Sequence, residues 1–210
     1  VLKSSAGAEQ TFIVGAKDDT PFADPYGRGT NAVRCVYMSK GSLEGFTLTG
    51  GASSVSVNDS DTFNVRGGGL YAEGLLQEVW DCILSNNVAS RGSAAWGGTI
   101  RRSRIANNRT TNSGNSVIRT GYVYDSLIVN NISGWVMTFS GARAINCTIA
   151  DNTGGGINDL AVALNSIIYG NGGIQVGGGA LCTNSLTGDG VRPGAGNISA
   201  DPRFVDAPAG

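Results

Sequence analysis

Hydrophobic and polar residues alternate over short segments of this chain, and one such segment recurs. A phrase that places a small residue two positions before a large aliphatic one occurs six times, the last time in shortened form. The copies are DCILSNN (81–87), RSRIANN (102–108), DSLIVNN (125–131), NCTIADN (146–152), NSIIYGN (165–171) and NSL (184–186). The small residues stand at 82, 103, 126, 147, 166 and 185, so successive copies are 21, 23, 21, 19 and 19 residues apart. A period of about 20 residues is typical of a solenoid.

The alternation within each copy predicts a β-strand with one buried face. Residues two apart in a strand point the same way, so Cys82 and Leu84 share an inward face, as do Ser103 and Ile105. An earlier phrase, GFTLTGG (45–51), fits the same pattern with Phe46 and Leu48 inward. A second short strand precedes each phrase, and its inward positions are Val79, Ile100, Val123, Ala144, Ala163 and Cys182. No segment has a sustained helical period.

One coil of about 20 residues cannot bury its own interior, but stacked coils can. The chain therefore predicts an all-β fold, a parallel β-helix of about eight coils of 19–23 residues that spans 1–210 as one domain. A Cys/Ser column and an Ile/Leu column are expected inside it. A leucine-rich-repeat horseshoe has a similar period, but its L-x-x-L-x-L-x-x-N frame is absent.

Asparagine pairs close several copies of the phrase, at 86–87, 107–108 and 130–131. Stacking would bring the pairs together at one corner of the coil. Amide side chains stacked in this way can hydrogen-bond along the column, as they do in cross-β assemblies. An asparagine ladder is therefore expected at this corner.

Several segments carry a resemblance to a known group of proteins. They are RCVYM (34–38), GSLEGFTLTGG (41–51), GGGLY (67–71), NCTI (146–149) and GNISADPRFVD (196–206). Together they resemble secreted bacterial right-handed β-helix repeat proteins of the pectin-lyase-like superfamily. The resemblance covers nearly the whole chain and implies a right-handed helix and a secreted or cell-surface location in a bacterium. It does not specify an activity, because a fold hosts many functions.

Composition and the chain ends narrow the possible partners. Fifteen basic and 16 acidic residues give a net charge of −1 without a basic block, which argues against nucleic acid. No apolar run has the length of a membrane span, so membrane insertion is not expected. The chain begins without Met and ends without an obvious cap. Bare solenoid ends aggregate, so we expect a piece of a longer secreted protein with neighbouring domains.

The four cysteines are expected to be free, buried thiols. Cys82 and Cys147 share a column but lie three coils apart, roughly 14 Å at the spacing of parallel strands. A disulfide needs Cα atoms within about 7 Å. Cys182 falls in another column, and Cys35 falls in the first pair of strands. The same separations, and the absence of histidine, argue against zinc.

Two irregular segments, 16–32 and 52–66, interrupt the repeat. Insertions in solenoids emerge as loops on one side and often bind ligands. Asp18, Asp19 and Asp24 could bind Ca²⁺ through their carboxylates. The alternative is a solvated polar loop, and no EF-hand or calcium nonapeptide motif is present. No other cofactor is expected.

Candidate binding residues occupy the outward positions of the strand before each phrase. One column reads Trp80, Arg101, Tyr124, Ile145 and Leu164, and its neighbour reads Glu78, Thr99, Tyr122, Arg143 and Val162. A second surface could hold Tyr71, Trp96 and Arg119. Aromatic rings and charged groups on one face could form a platform for a polysaccharide or surface glycan. The alternative is sheet decoration, since aromatic and arginine neighbours also stabilise strands.

Candidate catalytic residues are fewer. Asp81 and Asp125 lie two coils apart, roughly 9–10 Å, which overlaps the carboxylate separation of inverting glycosidases. Arg102 lies between them, however, so an Asp–Arg–Asp charge ladder is the competing interpretation.

The superfamily resemblance also raises a polysaccharide lyase. Such an enzyme needs a base, for which Arg101, Arg102, Arg104, Arg119 and Arg143 are available, and commonly Ca²⁺ held by clustered acids. The acids here do not cluster.

Three functions follow in order of preference. The first is a non-catalytic polysaccharide-binding or adhesin-like module. The second is a lyase or glycoside hydrolase acting on a uronate-containing glycan, and the third is a structural stalk.

Overall fold

The computed structural model describes residues 1–55, 63–139 and 141–205 and shows an all-β parallel solenoid. Three parallel sheets run along its axis. Sheet A contains Leu2–Lys3, Ser42–Glu44, Glu78–Trp80, Thr99–Arg101, Tyr122–Tyr124, Arg143–Ile145, Val162–Leu164 and Leu181–Thr183. Sheet B contains Phe12–Val14, Thr47–Thr49, Ile83–Ser85, Arg104–Ala106, Leu127–Val129, Thr148–Ala150, Ile167–Tyr169 and Leu186–Thr187. Sheet C contains Val36–Met38, Leu70–Ala72, Ala95–Trp96, Ser116–Arg119, Trp135–Thr138 and Gly155–Ile157.

Each turn of the chain passes through sheet C, sheet A and sheet B in that order. Sheet C has six strands, whereas sheets A and B have eight each. The described residues therefore form six complete turns, with a two-strand partial turn at either end, rather than eight equivalent coils. Val88–Ala89 and Arg109–Thr110 form a further two-stranded pair, and Phe63–Val65 forms a single 3-10 turn.

The predicted vertical register is confirmed. Leu48, Leu84, Ile105, Ile128, Ile149 and Ile168 pair in succession across sheet B, and all are fully buried. The inward column of sheet A runs through Leu43, Val79, Ile100, Val123, Ala144, Ala163 and Cys182. Sheet C adds Leu70, Ala95, Ile118, Met137 and Ile157. These columns form one continuous apolar core, and burial of such side chains is the main stabilising contribution to the fold.

The corner between sheets A and B is sharper than the alternation predicts. Cys82 does not lie in a strand, because the residue before it turns the backbone. Asp81 has a φ of 51°, and the same left-handed bend recurs at Arg102, Asp125, Asn146, Asn165 and Asn184. Asp and Asn tolerate this conformation better than most residues. The Cys/Ser column therefore lines a bend, and the strand of sheet B begins one residue later.

Hydroxyl groups in this column form a ladder along the axis. The Cys82 N–H donates to Ser103 Oγ at 3.1 Å, and the Ser103 N–H donates to Ser126 Oγ at 3.0 Å. Each of these hydroxyls donates in turn to a carbonyl two residues before it. The column thus satisfies buried backbone N–H groups as well as filling space.

The asparagine ladder lies at the corner that follows sheet B. Asn87 Nδ2 donates to Asn108 Oδ1 at 3.0 Å, and the pattern continues along Asn108, Asn131, Asn152 and Asn171. The first asparagine of each pair makes the bend, as Asn86 does with a φ of 57°. The ladder ends on Gln175, whose Oε1 accepts from Asn171 Nδ2.

The two irregular segments behave differently. Residues 16–33 form a loop closed by an antiparallel bridge between Ala16 and Val33. Of the segment 52–66, Ala52 forms a bridge with Val88, Phe63 and Arg66 contact Tyr71 and Trp96 of sheet C, and 56–62 lie outside the described residues.

Candidate functional site

The predicted platform forms on the outer face of sheet A. Arg101 pairs with Trp80 on one side and with Tyr124 on the other, and Tyr122 pairs with Arg143. All five side chains are half-buried or exposed. They stay in register although the coils differ in length, because each strand of sheet A ends directly before its phrase.

Arginine and aromatic groups alternate within this platform. The Arg101 guanidinium carbon lies 4.0 Å from the Tyr124 ring centroid and 5.1 Å from that of Trp80. Arg102 approaches the Trp80 ring at 4.8 Å, and Arg143 approaches Tyr122 at 5.5 Å. Such cation–π contacts are worth about 0.5–1 kcal/mol at exposed sites. Each aromatic ring of the platform therefore has an arginine guanidinium beside it.

Glu78 completes this surface without a strong partner of its own. Its Oε1 lies 4.0 Å from Arg101 Nε, which is too long for a hydrogen bond. Its Oε2 accepts a long contact of 3.4 Å from Trp80 Nε1. The carboxylate retains capacity to accept hydrogen bonds from a ligand.

The second predicted column, on sheet C, is partly covered. Tyr71 is only 8% exposed. The Phe63 ring lies 4.5 Å from it, the Tyr37 ring stacks at 5.7 Å, and the Arg34 guanidinium lies 5.1 Å from its centroid. Tyr71 is thus a packing residue and offers no open face to a ligand.

Trp96 and Arg119 remain partly exposed on sheet C. Arg66 lies 4.2 Å from the Trp96 ring centroid, and Arg119 lies 5.6 Å from it. Trp96 and Tyr122 belong to different sheets, yet both line one cavity of about 300 Å³ at the corner between sheets C and A. We call this cavity the corner groove, and its lining also includes Glu73, Thr120 and Phe139.

The candidate catalytic carboxylates are engaged in a polar column. Arg102 binds Asp81 through Nε at 2.8 Å and Nη2 at 2.6 Å. Asp125 Oδ1 accepts from Asn146 Nδ2 at 2.9 Å instead. The hydrogen bonds from Arg102 lower the pKa of Asp81 below its ordinary value. A general acid requires a raised pKa, so Asp81 is not tuned for that role.

The aspartates in the loop 16–33 organise the loop itself. Asp18 is buried and accepts the N–H groups of Thr20 and Asn31 at 3.0 and 3.1 Å. These backbone hydrogen bonds lower its pKa. Asp24 accepts from Arg28 in the same way and also forms an ion pair with its guanidinium, while Asp19 is exposed. Within the described residues, no three Asp, Glu, Cys or His side chains are grouped to hold a metal ion.

All four cysteines are free, as predicted. Burial raises the pKa of Cys35, Cys147 and Cys182 to about 11. Such thiols are inert at neutral pH. In the described part of the chain, no helix has the length and apolar character required to cross a bilayer.

The fold defines the chain as a parallel β-solenoid repeat protein. Comparison with protein-family models, with curated proteins and with solved structures finds no match for it. Sequence reasoning missed Glu73, Phe139, Arg34 and Phe63, which lie in connections between strands. Their positions do not repeat, so no column in the sequence marks them.

Proposed function

We propose that this protein is a secreted or cell-surface β-helix module of the pectin-lyase-like type that binds polysaccharide without cleaving it. The observation that carries the proposal is the outer face of sheet A, which brings together Trp80, Arg101, Tyr122, Tyr124 and Arg143 in register on neighbouring strands. Guanidinium groups donate hydrogen bonds to sugar oxygens, and aromatic rings pack against the apolar faces of sugar rings.

Rigidity supports this role. Arg101 is held between two rings, so its side chain loses little conformational freedom when a ligand binds. Binding generally costs about 0.5–1.5 kcal/mol for each long side chain that must be ordered. A preordered, mixed polar and aromatic surface suits an extended polymer, which makes many weak contacts.

We propose binding without cleavage because the candidate catalytic carboxylates are already hydrogen-bonded to neighbouring side chains. Asp81 is bound to Arg102 and Asp125 to Asn146, so neither is positioned as an acid or base toward an outer ligand. Glu78 is a single carboxylate beside Arg101, and glycoside hydrolysis uses two.

Affinity electrophoresis through gels that contain neutral or acidic polysaccharides tests the proposal. Tyr124→Ala and Arg101→Ala are expected to weaken retention about tenfold, because each removes one side of the stacked surface. Arg104→Ala, an exposed arginine on the outer face of sheet B, is the matched control and should migrate like the unaltered protein. Free migration of the unaltered protein in every gel would rule the proposal out and favour a structural stalk.

A further inference from the structure

The chemistry of the platform on sheet A changes from one coil to the next. Aromatic side chains point outward on its first and third strands, and arginines point outward on its second and fourth. In chain order these residues are Trp80, Arg101, Tyr122 with Tyr124, and Arg143. Each kind of side chain therefore recurs every two coils, roughly 9–10 Å at the spacing of parallel strands.

Charge alternates along the same strands. Counting the outward positions and the bend that follows each strand, the charged residues are Glu78 and Asp81, then Arg101 and Arg102, then Asp125, and finally Arg143. Acidic coils thus alternate with basic coils. Opposite charges on neighbouring strands stabilise a sheet, so a ligand is left with the charged groups that are not engaged inside the protein.

The charged groups at the bend are hydrogen-bonded within the protein. Arg102 binds Asp81 at 2.8 and 2.6 Å, and Asp125 accepts a hydrogen bond from Asn146 at 2.9 Å. A side chain that already has its hydrogen-bond partner gains little from a second one. The bend therefore supports the sheet, and recognition is left to the outward positions.

The two outward arginines are not engaged in this way. Arg101 Nε has no hydrogen-bond partner and lies 4.0 Å from Glu78 Oε1, while the side chain of Arg101 is 28% exposed. Arg143 is exposed, and among the described residues no carboxylate forms an ion pair with it. Tyr124 and Tyr122 hold the two guanidinium groups at 4.0 and 5.5 Å. Both groups therefore offer donors from a defined position, and a carboxylate matches the guanidinium fork.

The coils with aromatic side chains disfavour a negative charge on a ligand. The Glu78 side chain is 42% exposed beside Trp80, and Asp125 directly follows Tyr124. Either carboxylate repels an acidic group placed next to it. The ring beside it packs instead against the apolar face of a neutral sugar, whose hydroxyls the carboxylate accepts.

We infer that the platform binds an extended polysaccharide in which acidic and neutral sugars alternate, and that this polysaccharide runs along the solenoid axis. One sugar unit of an extended chain advances by about as much as one coil. Neutral units then lie at Trp80 and Tyr124, and the carboxylates of the units between and after them reach Arg101 and Arg143. This inference rests on the proposed function and adds the charge pattern and the direction of the ligand.

The platform is bounded at both ends. On the strand before it, Glu44 forms an ion pair with Lys3 at 2.7 Å, so the charge there is already compensated. On the strand after it, Val162 and Leu164 occupy the outward positions and offer neither a ring nor a charge. The platform therefore covers four coils, which fits about four sugar units at the spacing of parallel strands.

Isothermal titration with three hexasaccharides tests the inference. The first alternates uronic acids with N-acetylhexosamines, the second contains only uronic acids, and the third contains only neutral hexoses. The unaltered protein is expected to bind the alternating compound at least about tenfold more tightly than either of the others. General electrostatic attraction would instead favour the all-uronate compound, because it carries more negative charge.

Arg143→Gln removes one of the two contacts to an acidic unit. It should weaken binding of the alternating hexasaccharide about tenfold and leave binding of the neutral one unchanged. Arg104→Gln makes the same change of charge at an exposed position on the outer face of sheet B, and it should bind all three compounds like the unaltered protein. Thermal melting of each variant verifies folding.

Glu78→Gln removes the negative charge beside a neutral unit and keeps an acceptor for Trp80 Nε1. The all-uronate compound should then bind more tightly, so that the preference for the alternating compound narrows to about threefold or less. A purely structural role of Glu78 would not move this ratio. Glu9→Gln, at an exposed glutamate near the amino terminus, is the control and should keep the full preference.

The possible failures are distinguishable. Suppose that the unaltered protein is retained on polysaccharide gels and that Tyr124→Ala weakens this retention. Binding of the all-uronate or neutral hexasaccharide at least as tight as that of the alternating one, or no binding of any of the three, would then overturn this inference and leave the proposed function intact. An unchanged ratio in Glu78→Gln would also overturn it. Free migration in every gel would end both.

Discussion

Two stacks of side chains run along this solenoid, one buried and one on the surface. Both arise from the same register between coils, but they have different roles. The asparagine ladder is fully enclosed, and each amide bonds both the next amide and the backbone. The stack of Trp80, Arg101 and Tyr124 lies on the outer face of sheet A and makes cation–π contacts at the surface. In a solenoid, side chains at equivalent positions of successive coils lie above one another. Burial decides whether the stack supports the fold or remains available to a ligand.

The largest expected effect comes from breaking the inner stack. Asn131 Oδ1 accepts both the Asn108 N–H and Asn108 Nδ2, at 2.9 and 3.0 Å. Asn131→Ala leaves the Asn108 N–H buried without an acceptor and removes the donor to the Ile105 carbonyl and Asn152 Oδ1, so we expect the free energy of unfolding to fall by about 3–5 kcal/mol in urea denaturation. Asn130→Gly, one residue earlier at an exposed left-handed bend, should cost less than about 1 kcal/mol. If both variants lose the same free energy of unfolding, the buried ladder contributes no more to stability than the exposed bend beside it.

A smaller loss of stability is expected in the hydroxyl ladder, which is a second buried stack and can be compared with the asparagine ladder. Ser126→Ala removes the acceptor for the Ser103 N–H and should cost about 1–2 kcal/mol in calorimetric melting. Cys147→Ser is the reverse change, since it substitutes a hydroxyl for a weakly accepting thiol in the same column, and stability should remain within about 0.5 kcal/mol or rise. A severe loss on Cys147→Ser would mean that the column depends on packing volume rather than on hydrogen bonds.

The smallest effect is expected on the outside, in the pair of Asp81 and Arg102. Arg102 lowers the pKa of Asp81 in the folded state, so the pair stabilises the fold above the ordinary carboxyl pKa of about 3.9. That contribution is lost as the pH falls through the lowered pKa. Asp81 is 41% exposed, which limits the contribution to less than about 1 kcal/mol.

The measurement for this pair is the melting temperature at a series of pH values. Asp81→Asn should melt slightly below the unaltered protein at pH 7, and the difference should vanish near pH 2. Asp151→Asn, at an equivalent exposed bend after sheet B, should show little difference at either pH. A difference for Asp81→Asn that grows in acid would contradict the assigned sign.

The repeat explains how much of this molecule could be predicted. Leu84, Ile105 and Ile128 pair directly because each coil adds nearly the same number of residues, and the same regularity places Arg101 between Trp80 and Tyr124. The left-handed bend at Asp81 was missed because alternation continues through it. The number of complete turns was overestimated, since in the described part of the chain sheet C has two strands fewer than sheets A and B.

The corner groove could not be predicted for a related reason. Glu73 and Phe139 stand in connections of different lengths, so neither has an equivalent in the other turns. The covering of Tyr71 by Phe63 and Arg34 depends on a non-repeating segment that folds back on sheet C. The sequence repeat predicts which side chains stack on one another along the solenoid. It does not predict contacts made by side chains in non-repeating connections, which require the three-dimensional structure.

The direction of the asparagine ladder has a consequence for how this architecture could change in length. Every rung accepts from the turn before and donates to the turn after, and Gln175 ends the series by returning its own donors to the carbonyls of Asn171 and Gly173. Duplicating a middle turn would insert a unit whose two sides already match its neighbours. A turn added beyond Gln175 would receive no hydrogen bond from the ladder, because both Nε2 donors of Gln175 are already used. Duplication of a turn is therefore compatible with the middle of the ladder and not with its last rung.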